Sequence, residues 1–374
     1  MTDVRPGAVH GAPDFGELAR LGVEAESVVD FSSNVNPYGP APCVIAAFRN
    51  ADIASYPDRE CLKLRDAIAA RSGVSPSSVV VGNGSAEIID LVARTFLVPG
   101  DRALVVGPTF SEYERASALA GAGVVRFGRT VAPEGVSLDA GGLLGAIRSE
   151  TPGIVWLCNP NNPTGDVIGA AEVESILRAA REVGATLVVD EAYAELVLGG
   201  GEPEDLTPPL GDGGLVLLRS MTKGHALAGL RLGYALLPPG AAERIERLRP
   251  PWMVSSPAQV AGVAALSAGA EKHLRRSVGA MKKELAYLVG ELRELGLAPV
   301  PSRTNYLISP AGERCGSGES LRLKLLLEDG LLVRDCASFG LAGYVRLAVR
   351  LPDENRRLVG ALRRIFHDEP DGSR

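Results

Sequence analysis

The chain has 374 residues, of which 46% are hydrophobic and 22% are charged. At about 100–200 residues per domain, this length predicts two domains or one large and one small, and the apolar fraction is too high for a disordered chain. Its 39 lysines and arginines against 45 aspartates and glutamates give a net charge of −6 without a basic block, which argues against a nucleic-acid-binding protein.

The five cysteines are scattered without a Cys-x-x-Cys pair, and the four histidines form no motif at metal-ligand spacing. We therefore expect free thiols and no metal site. The first 15 residues contain no apolar signal-peptide core, and no apolar run is long enough to cross a membrane. These features predict a cytoplasmic protein without a membrane partner.

Short apolar runs alternate with helical patterns through the first two thirds of the chain. Runs without polar alternation are typical of strands covered on both faces. Their alternation with helices predicts an α/β fold with a mostly parallel sheet flanked by helices. The predicted strands are 79–81, 103–106, 154–157, 186–189 and 215–218, and the predicted helices are 86–96, 112–120 and 170–183.

The pattern changes after Pro250-Pro251. Two helical segments follow, 258–269 and 271–295. From residue 298 onward the pattern predicts strand, helix (320–328), two strands and helix, which is typical of a smaller α+β domain.

Segments rich in glycine or polar residues follow several of the predicted strands, at the edge where open α/β sheets bind ligands. Residues 82–87, Gly-Asn-Gly-Ser-Ala-Glu, begin a helix with free backbone N–H groups that suit an anion, although a plain tight turn explains them equally well. The two Asn-Pro steps within 158–165 place amide side chains at the same edge, as an ordinary turn also would.

Two further strand ends carry charged residues. Asp190 directly follows the predicted strand 186–189. A buried carboxylate there needs a positive partner or a hydrogen-bond donor, unless it caps a helix instead. Lys223 lies among hydroxyl and small residues, which suits a lysine that forms a Schiff base, although a lone lysine is more often a surface residue.

Four motifs extend these observations along the chain. They are Asn-Asn-Pro-Thr-Gly (161–165), Asp-Glu-Ala-Tyr (190–193), Ser-Met-Thr-Lys (220–223) and Gly-Leu-Arg-Leu-Gly-Tyr (229–234). Taken together and in this order, they resemble the motifs of the fold-type I pyridoxal-phosphate enzymes. The resemblance covers nearly the whole chain, and within that group the chain resembles histidinol-phosphate aminotransferase and threonine-phosphate decarboxylase. The resemblance implies a large cofactor-binding domain over residues 46–254 and a small domain built from residues 1–45 and 255–374.

The resemblance implies a role for individual residues of these motifs. Lys223 would hold pyridoxal 5′-phosphate as a Schiff base, and Asp190 would pair with the pyridinium nitrogen so that the ring stays an electron sink. Asn162 and Tyr193 would hydrogen-bond the phenolic oxygen of the ring. Phe110 would cover the ring face, unless it only packs in the core. The cofactor phosphate would be bound by Gly84, Ser85, Ala86, Ser220, Thr222 and Arg231.

The resemblance also implies a partner and a substrate. Tyr56 matches a tyrosine that reaches the same phosphate across a dimer interface, which implies a homodimer. Arg334 and Arg346 occupy positions that bind substrate anions, and a guanidinium group suits them because it recognises carboxylate and phosphate through paired hydrogen bonds. The expected substrate is a small phosphorylated amino acid or amino alcohol. The other expected substrate contacts are His10, Gly11, Asn34 and Asn162.

The choice of reaction depends on finer resemblances. His10-Gly11, residues 30–39 and residues 110–113 resemble threonine-phosphate decarboxylase more closely. They favour decarboxylation of O-phospho-L-threonine to aminopropanol phosphate, a cobalamin side-chain precursor. The alternative is an aminotransferase acting on L-histidinol phosphate or a related amino acid. The same residues serve both reactions, since the outcome depends on which Cα bond lies perpendicular to the ring.

Two points stay open at this level. Gly224-His225 fits neither pattern, so the pocket beside Lys223 can differ from both. A non-catalytic homologue that binds a ligand or a DNA-binding partner is a third alternative, which the presence of Lys223, Asp190 and Arg231 opposes.

Overall fold

The computed structural model describes residues 11–199, 210–211 and 213–367. None of the helices in these ranges is both long enough and apolar enough to cross a membrane. The helices are α1 (Phe15–Leu21), α2 (Pro42–Arg49), α3 (Leu62–Ser72), α4 (Ser85–Phe96), α5 (Glu112–Leu119), α6 (Ala140–Glu150), α7 (Ala170–Glu182), α8 (Pro239–Glu246), α9 (Ser256–Ala265), α10 (Ala268–Glu294), α11 (Gly318–Asp329) and α12 (Pro352–His367). The strands are β1 (Val29–Asp30), β2 (Val79–Gly82), β3 (Arg102–Gly107), β4 (Gly123–Gly128), β5 (Thr130–Ala132), β6 (Gly135–Ser137), β7 (Ile154–Cys158), β8 (Thr186–Asp190), β9 (Leu215–Ser220), β10 (Gly233–Leu236), β11 (Tyr306–Pro310), β12 (Leu331–Leu332), β13 (Arg334–Asp335) and β14 (Tyr344–Ala348).

The central sheet has seven strands in the order β2-β10-β9-β8-β7-β3-β4. Strand β10 runs antiparallel to its neighbours β2 and β9, and the other pairs are parallel. Strands β2, β7 and β8 are buried along their whole length, as continuous apolar runs require when helices cover both faces. The predicted α/β fold with a mostly parallel sheet is confirmed.

Apolar side chains fill the space on both faces of this sheet. In β2, Val79 and Val81 belong to one buried cluster and Val80 to another, because successive side chains of a strand point to opposite faces. Helices α3, α6, α7 and α9 contribute to the first cluster, and α4, α5 and α8 contribute to the second.

The C-terminal part of the chain forms its own sheet and its own apolar cluster. Strands β11, β14 and β13 pair antiparallel in that order, and residues of α10, α11 and α12 pack with them. Strand β1 pairs in parallel with β12, so the segment near Val29 joins this part of the molecule. The predicted order of strand, helix, strands and helix is confirmed, whereas the domain limits stay a prediction.

Several elements differ from the sequence pattern. Strand β4 lies at the edge of the central sheet and contains only exposed and half-buried residues, so it lacks the continuous apolar run that reveals the other strands. Strand β10 has only four residues. The helix predicted to reach residue 269 ends at Ala265, because the hydroxyl of Ser267 accepts a hydrogen bond from Ala270 N and begins α10.

Candidate active site

The polar segments after β2, β7, β8 and β9 meet at one edge of the central sheet, because these four strands run in the same direction. Backbone hydrogen bonds join adjacent segments. Asn159 N donates to Asp190 O at 2.9 Å, and Glu191 N donates to Leu218 O at 2.8 Å. The motifs that are far apart in the sequence therefore form one surface.

Asp190 is buried at the end of β8 and holds two hydrogen bonds. Its Oδ2 accepts from the hydroxyl of Tyr113 at 2.7 Å, and its Oδ1 accepts from Ala192 N at 2.9 Å. Burial raises the pKa of Asp190, while these two bonds and the charge of Lys223 act in the opposite direction without cancelling it. A fixed carboxylate in such a place suits a cationic ring nitrogen.

Tyr113 is a site residue that the sequence did not predict. The resemblance over Phe110-Ser111-Glu112-Tyr113 includes this tyrosine, but it implies a role only for Phe110. The Phe110 ring packs edge-on against Tyr113, with centroids 5.7 Å apart and an angle of 81°. Phe110 thus lies beside the residue that binds Asp190.

Lys223 lies next to Tyr193 and to the segment around Asn34. The Nζ atom is 5.7 Å from the centroid of the Tyr193 ring, and Asn34 Nδ2 donates to the Tyr193 hydroxyl at 3.3 Å. The backbone N of Asn36 donates to Lys223 O at 3.0 Å. The structure therefore brings together three side chains predicted for the site, those of Lys223, Tyr193 and Asn34.

The start of α4 has the features of a phosphate site. No side chain caps this helix, and its N-cap Gly84 has φ +84°. A Cβ atom at Gly84 would lie 2.7 Å from Nη2 of Arg231, so the guanidinium lies directly against the glycine. Free N–H groups at a helix start beside a cation bind anions well. Ser85 and Ala86 are the first two residues of this helix.

Two hydroxyl groups lie at and just after the end of β9, which is separated from β2 by β10. Ser220 Oγ is 2.6 Å from Thr222 Oγ1. Gly233 of β10 pairs with Gly82 on one side and with Ser220 on the other, which places the end of β9 beside the start of α4. The six residues predicted for the cofactor phosphate thus come from three neighbouring strand ends.

Arg346 links the cofactor region to the C-terminal sheet. It donates through Nη1 to Asn162 Oδ1 and through Nη2 to Ser32 O, the latter at 2.5 Å. Gly11 packs against the same guanidinium, because a Cβ atom there would lie 2.7 Å from Nη2. The structure therefore places Asn162, Gly11 and Arg346 in contact, as expected for one substrate-binding region.

Arg334 lies opposite Arg346 in the register of β13 and β14, and both side chains are buried. Burial and the charge of Arg346 lower the pKa of Arg334. The Arg334 guanidinium also donates to Ser338 Oγ at 2.6 Å. Two buried guanidinium groups side by side are stabilised by an anion between or beside them.

Two predicted residues are not part of this arrangement. His10 lies outside the described residues. Tyr56 is 82% exposed, and its ring packs beside Trp252 with centroids 5.0 Å apart. In the described part of this single chain, Tyr56 makes no hydrogen bond to the residues above.

The residues fit pyridoxal 5′-phosphate. Asn34 Oδ1 and Arg346 Nε are buried without a hydrogen-bond partner among the described residues, which indicates a polar ligand. The uncapped α4 and Arg231 suit its phosphate, and the carboxylate of Asp190 suits its ring nitrogen.

Comparison with known proteins identifies the class. Residues 26–362 match the family model for aminotransferase class I and II, so the chain belongs to this family. It is a fold-type I enzyme that depends on pyridoxal 5′-phosphate, and the predicted cofactor is confirmed.

Individual relatives agree with this assignment. The chain is 34% identical to the histidinol-phosphate aminotransferase of Moorella thermoacetica over 361 residues, which are 96% of this chain and 90% of that protein. The structure of histidinol-phosphate aminotransferase from Sinorhizobium meliloti in complex with pyridoxal-5′-phosphate has a TM-score of 0.84 and 25% identity, and covers 95% of each chain. L-threonine-O-3-phosphate decarboxylase from Porphyromonas gingivalis has a TM-score of 0.77 at 24% identity over 90% of this chain and 99% of that one, which shows the shared fold.

These relatives correct the predicted reaction. Further relatives at 33–36% identity are also histidinol-phosphate aminotransferases. The prediction of O-phospho-threonine decarboxylation is therefore wrong. The predicted lyase class and the predicted place in cobalamin synthesis are not supported either. The segments that suggested decarboxylation, such as residues 110–113, lie in the candidate site of a cofactor that both kinds of enzyme use, so they do not distinguish the reactions.

Proposed function

We propose that the protein is an aminotransferase that acts on histidinol phosphate or a related amino acid. The observation that carries the proposal is the contact between Arg346 and Asn162, because it joins an anion-binding guanidinium to a residue of the proposed cofactor site. The names of the relatives support histidinol phosphate as the amino substrate.

Bound pyridoxal 5′-phosphate supplies an electron sink that stabilises negative charge at the substrate Cα. Lys223 Nζ would hold the cofactor through its aldehyde carbon, and the same amine group would take the proton from the substrate Cα. Asp190 would hold the proton on the ring nitrogen. Tyr193 would donate to the phenolic oxygen, and so would the amide nitrogen of Asn162, whose oxygen already accepts from Arg346.

The phosphate of the cofactor would lie at the start of α4. The backbone N–H groups there and the guanidinium of Arg231 supply donors and positive charge. Ser220 and Thr222, at the end of β9, would add two hydroxyl donors. The residues proposed to hold this phosphate within one chain are Gly84, Ser85, Ala86, Ser220, Thr222 and Arg231.

The anionic end of the substrate would lie beside the C-terminal sheet. Arg346 and Arg334 would bind its phosphate, or the carboxylate of a 2-oxo acid that accepts the amino group. Gly11 leaves room beside the Arg346 guanidinium. His10 and Asn34 are proposed as further contacts.

We propose that two copies of the chain form a homodimer in which Tyr56 reaches the partner's cofactor phosphate. Ile53 and Trp252 are exposed apolar residues beside Tyr56, within a surface that also carries charged residues of the segment 52–60, and exposed apolar side chains are typical of an interface. Helices α2 and α9, which pack against each other, also expose large apolar side chains, as do the segments that contain Ile53, Leu62 and Trp252. These exposed residues are Ile45, Phe48, Ile53, Leu62, Trp252, Val260 and Val263.

The reaction is tested by incubating the holoenzyme with L-histidinol phosphate and 2-oxoglutarate and measuring glutamate. We expect amino transfer by the wild type and none by Lys223→Ala, which should also lack the absorbance band of the covalently bound cofactor. Release of CO2 from a phosphorylated amino acid without amino transfer would contradict the proposal.

A further inference from the structure

Gly224 and His225 follow Lys223 directly, and the family resemblance leaves them unexplained. His225 is buried, with 6% of its side chain exposed, and its Nε2 lies 3.2 Å from Glu195 Oε1. Glu195 belongs to a short 3₁₀ turn, Ala194–Leu196, that begins directly after Tyr193. The contact therefore joins the loop that carries Lys223 to the turn that carries Tyr193.

Gly224 makes room for this contact. A Cβ atom at residue 224 would lie 2.7 Å from Glu195 Oε2 and 3.2 Å from Glu195 Cβ, closer than packed atoms tolerate. A residue with a side chain here would displace the carboxylate from His225. Glycine at 224 and histidine at 225 are thus two parts of one arrangement, since the first admits the carboxylate and the second binds it.

The opposite side of the lysine loop is also fixed. Asn36 donates from its backbone N to Lys223 O and from Nδ2 to Gly224 O, both at 3.0 Å. The loop then turns at Ala226, whose φ of +56° is unfavourable for a residue other than glycine. Contacts on both sides hold the loop in this conformation.

We propose that His225 and Glu195 are positioning residues, which as a partly buried ion pair fix Lys223 relative to Tyr193. The two would maintain the 5.7 Å separation between Lys223 Nζ and the Tyr193 ring. The proposal rests on the proposed role of Lys223 in holding the cofactor.

The surrounding charges are consistent with an ion pair. Burial lowers the pKa of His225, but Glu195 outweighs burial and raises it, while Arg71 of α3 acts to lower it. Burial raises the pKa of Glu195, but His225, Arg71 and Arg219 together lower it. Tyr234 of β10 is close enough to feel the charge of Glu195, and its pKa is raised, mainly by its burial. Each partner of the pair therefore stabilises the charged form of the other.

The test compares the wild-type holoenzyme with His225→Gln, Glu195→Gln and the double variant. Each single variant should lose bound cofactor on dilution about tenfold faster, because the loop that holds Lys223 loosens. The pH midpoint of the cofactor absorbance band should shift in both, and kcat should fall more than KM rises. The double variant should be no worse than either single variant, because both changes remove the same pair.

Glu17→Gln is the matched control, because Glu17 forms a partly buried pair with Arg322 at 2.5 Å between α1 and α11. It should lower the thermal midpoint without changing cofactor loss or the absorbance midpoint. The proposal is overturned if His225→Gln and Glu195→Gln behave like this control, or if the effects of the single variants simply add. Failure of the wild type to bind pyridoxal 5′-phosphate at all would instead contradict the proposed function.

Discussion

The hydroxyl of Tyr113 donates a 2.7 Å hydrogen bond to Asp190, and the two residues are 77 positions apart in the chain. The Tyr113 ring stacks on Trp156 with centroids 5.2 Å apart and planes inclined by 10°. Trp156 is itself fixed, because its Nε1 donates to Ser117 Oγ at 3.0 Å. Packing between α5 and β7 therefore sets the direction from which Asp190 receives its donor.

Replacing Tyr113 with phenylalanine tests this relationship. The ring and its stacking on Trp156 remain, but the buried Asp190 carboxylate loses a donor, which costs about 1.5–3 kcal/mol. We expect the pKa of Asp190 to rise further and kcat to fall at least about tenfold, with the cofactor still bound. Steady-state kinetics and the absorbance of the bound cofactor measure both effects. An unchanged kcat would show that Ala192 N alone holds the carboxylate.

Gly84→Ala should weaken cofactor binding for a defined steric reason. The new Cβ would lie 2.7 Å from Arg231 Nη2, and φ +84° with ψ 162° is a conformation for glycine alone. We expect a loss of about 1–3 kcal/mol of stability and a clear fall in affinity for pyridoxal 5′-phosphate.

Gly73→Ala is the control for that variant. Gly73 also has a positive φ, +65°, but a Cβ atom there would meet nothing within 4 Å. It should lose about 1 kcal/mol of stability and keep its cofactor affinity, measured by titrating the apoenzyme. Equal affinity in both variants would argue against the α4 site.

Much of the fold was predictable because it depends on local patterns. The apolar runs that became β2, β7 and β8 are continuous, and the polar segments after them are short and distinctive. Tyr113 was harder, because its partner Asp190 lies on another strand and only the packing on Trp156 brings the two together. The sequence also did not reveal the pair of His225 and Glu195, because the two residues are 30 positions apart and only the fold brings them together.

The reaction was not predictable from these residues. In the proposed roles, Lys223 and Asp190 would serve any reaction in which the cofactor stabilises charge at Cα. The outcome depends on how the anion-binding groups orient the substrate, and Arg346 meets Asn162 only through contact between distant segments. Whole-chain similarity to aminotransferases supplied the information that these motifs lack.

Arg346→Lys tests the proposed anion site. Lysine cannot reproduce the paired donation to Asn162 and to Ser32 O, so one contact must be lost. We expect KM for histidinol phosphate to rise about ten- to hundredfold, corresponding to about 1.5–3 kcal/mol. Arg350→Lys is the control, since Arg350 follows Arg346 closely in the chain but pairs with Glu354 at 3.0 Å. A similar rise in both variants would mean that the effect is structural.

The stability of the protein should depend on pH through His225. Its pKa in the folded state is raised above 6.5, so its contribution is fully present below 6.5 and is lost as pH rises through the raised value. The pKa of Glu195 is lowered below 4.5, so its contribution is lost only as pH falls through that lowered value. The difference in unfolding free energy between wild type and His225→Gln should therefore be largest at about pH 5–6. Urea unfolding across pH measures it, and a difference independent of pH would contradict a charged pair.

Hybrid dimers test whether Tyr56 serves the partner's site. Neither Tyr56→Ala nor Lys223→Ala homodimers should be fully active, but a mixed dimer has one site with Lys223 from one chain and the intact Tyr56 from the other. If a two-fold dimer shares its sites in this way, random mixing should restore about a quarter of wild-type activity. Sedimentation first checks that Tyr56→Ala remains a dimer, since this residue lies on the apolar surface with Trp252. No gain of activity on mixing would place Tyr56 in the site of its own chain or outside the site altogether.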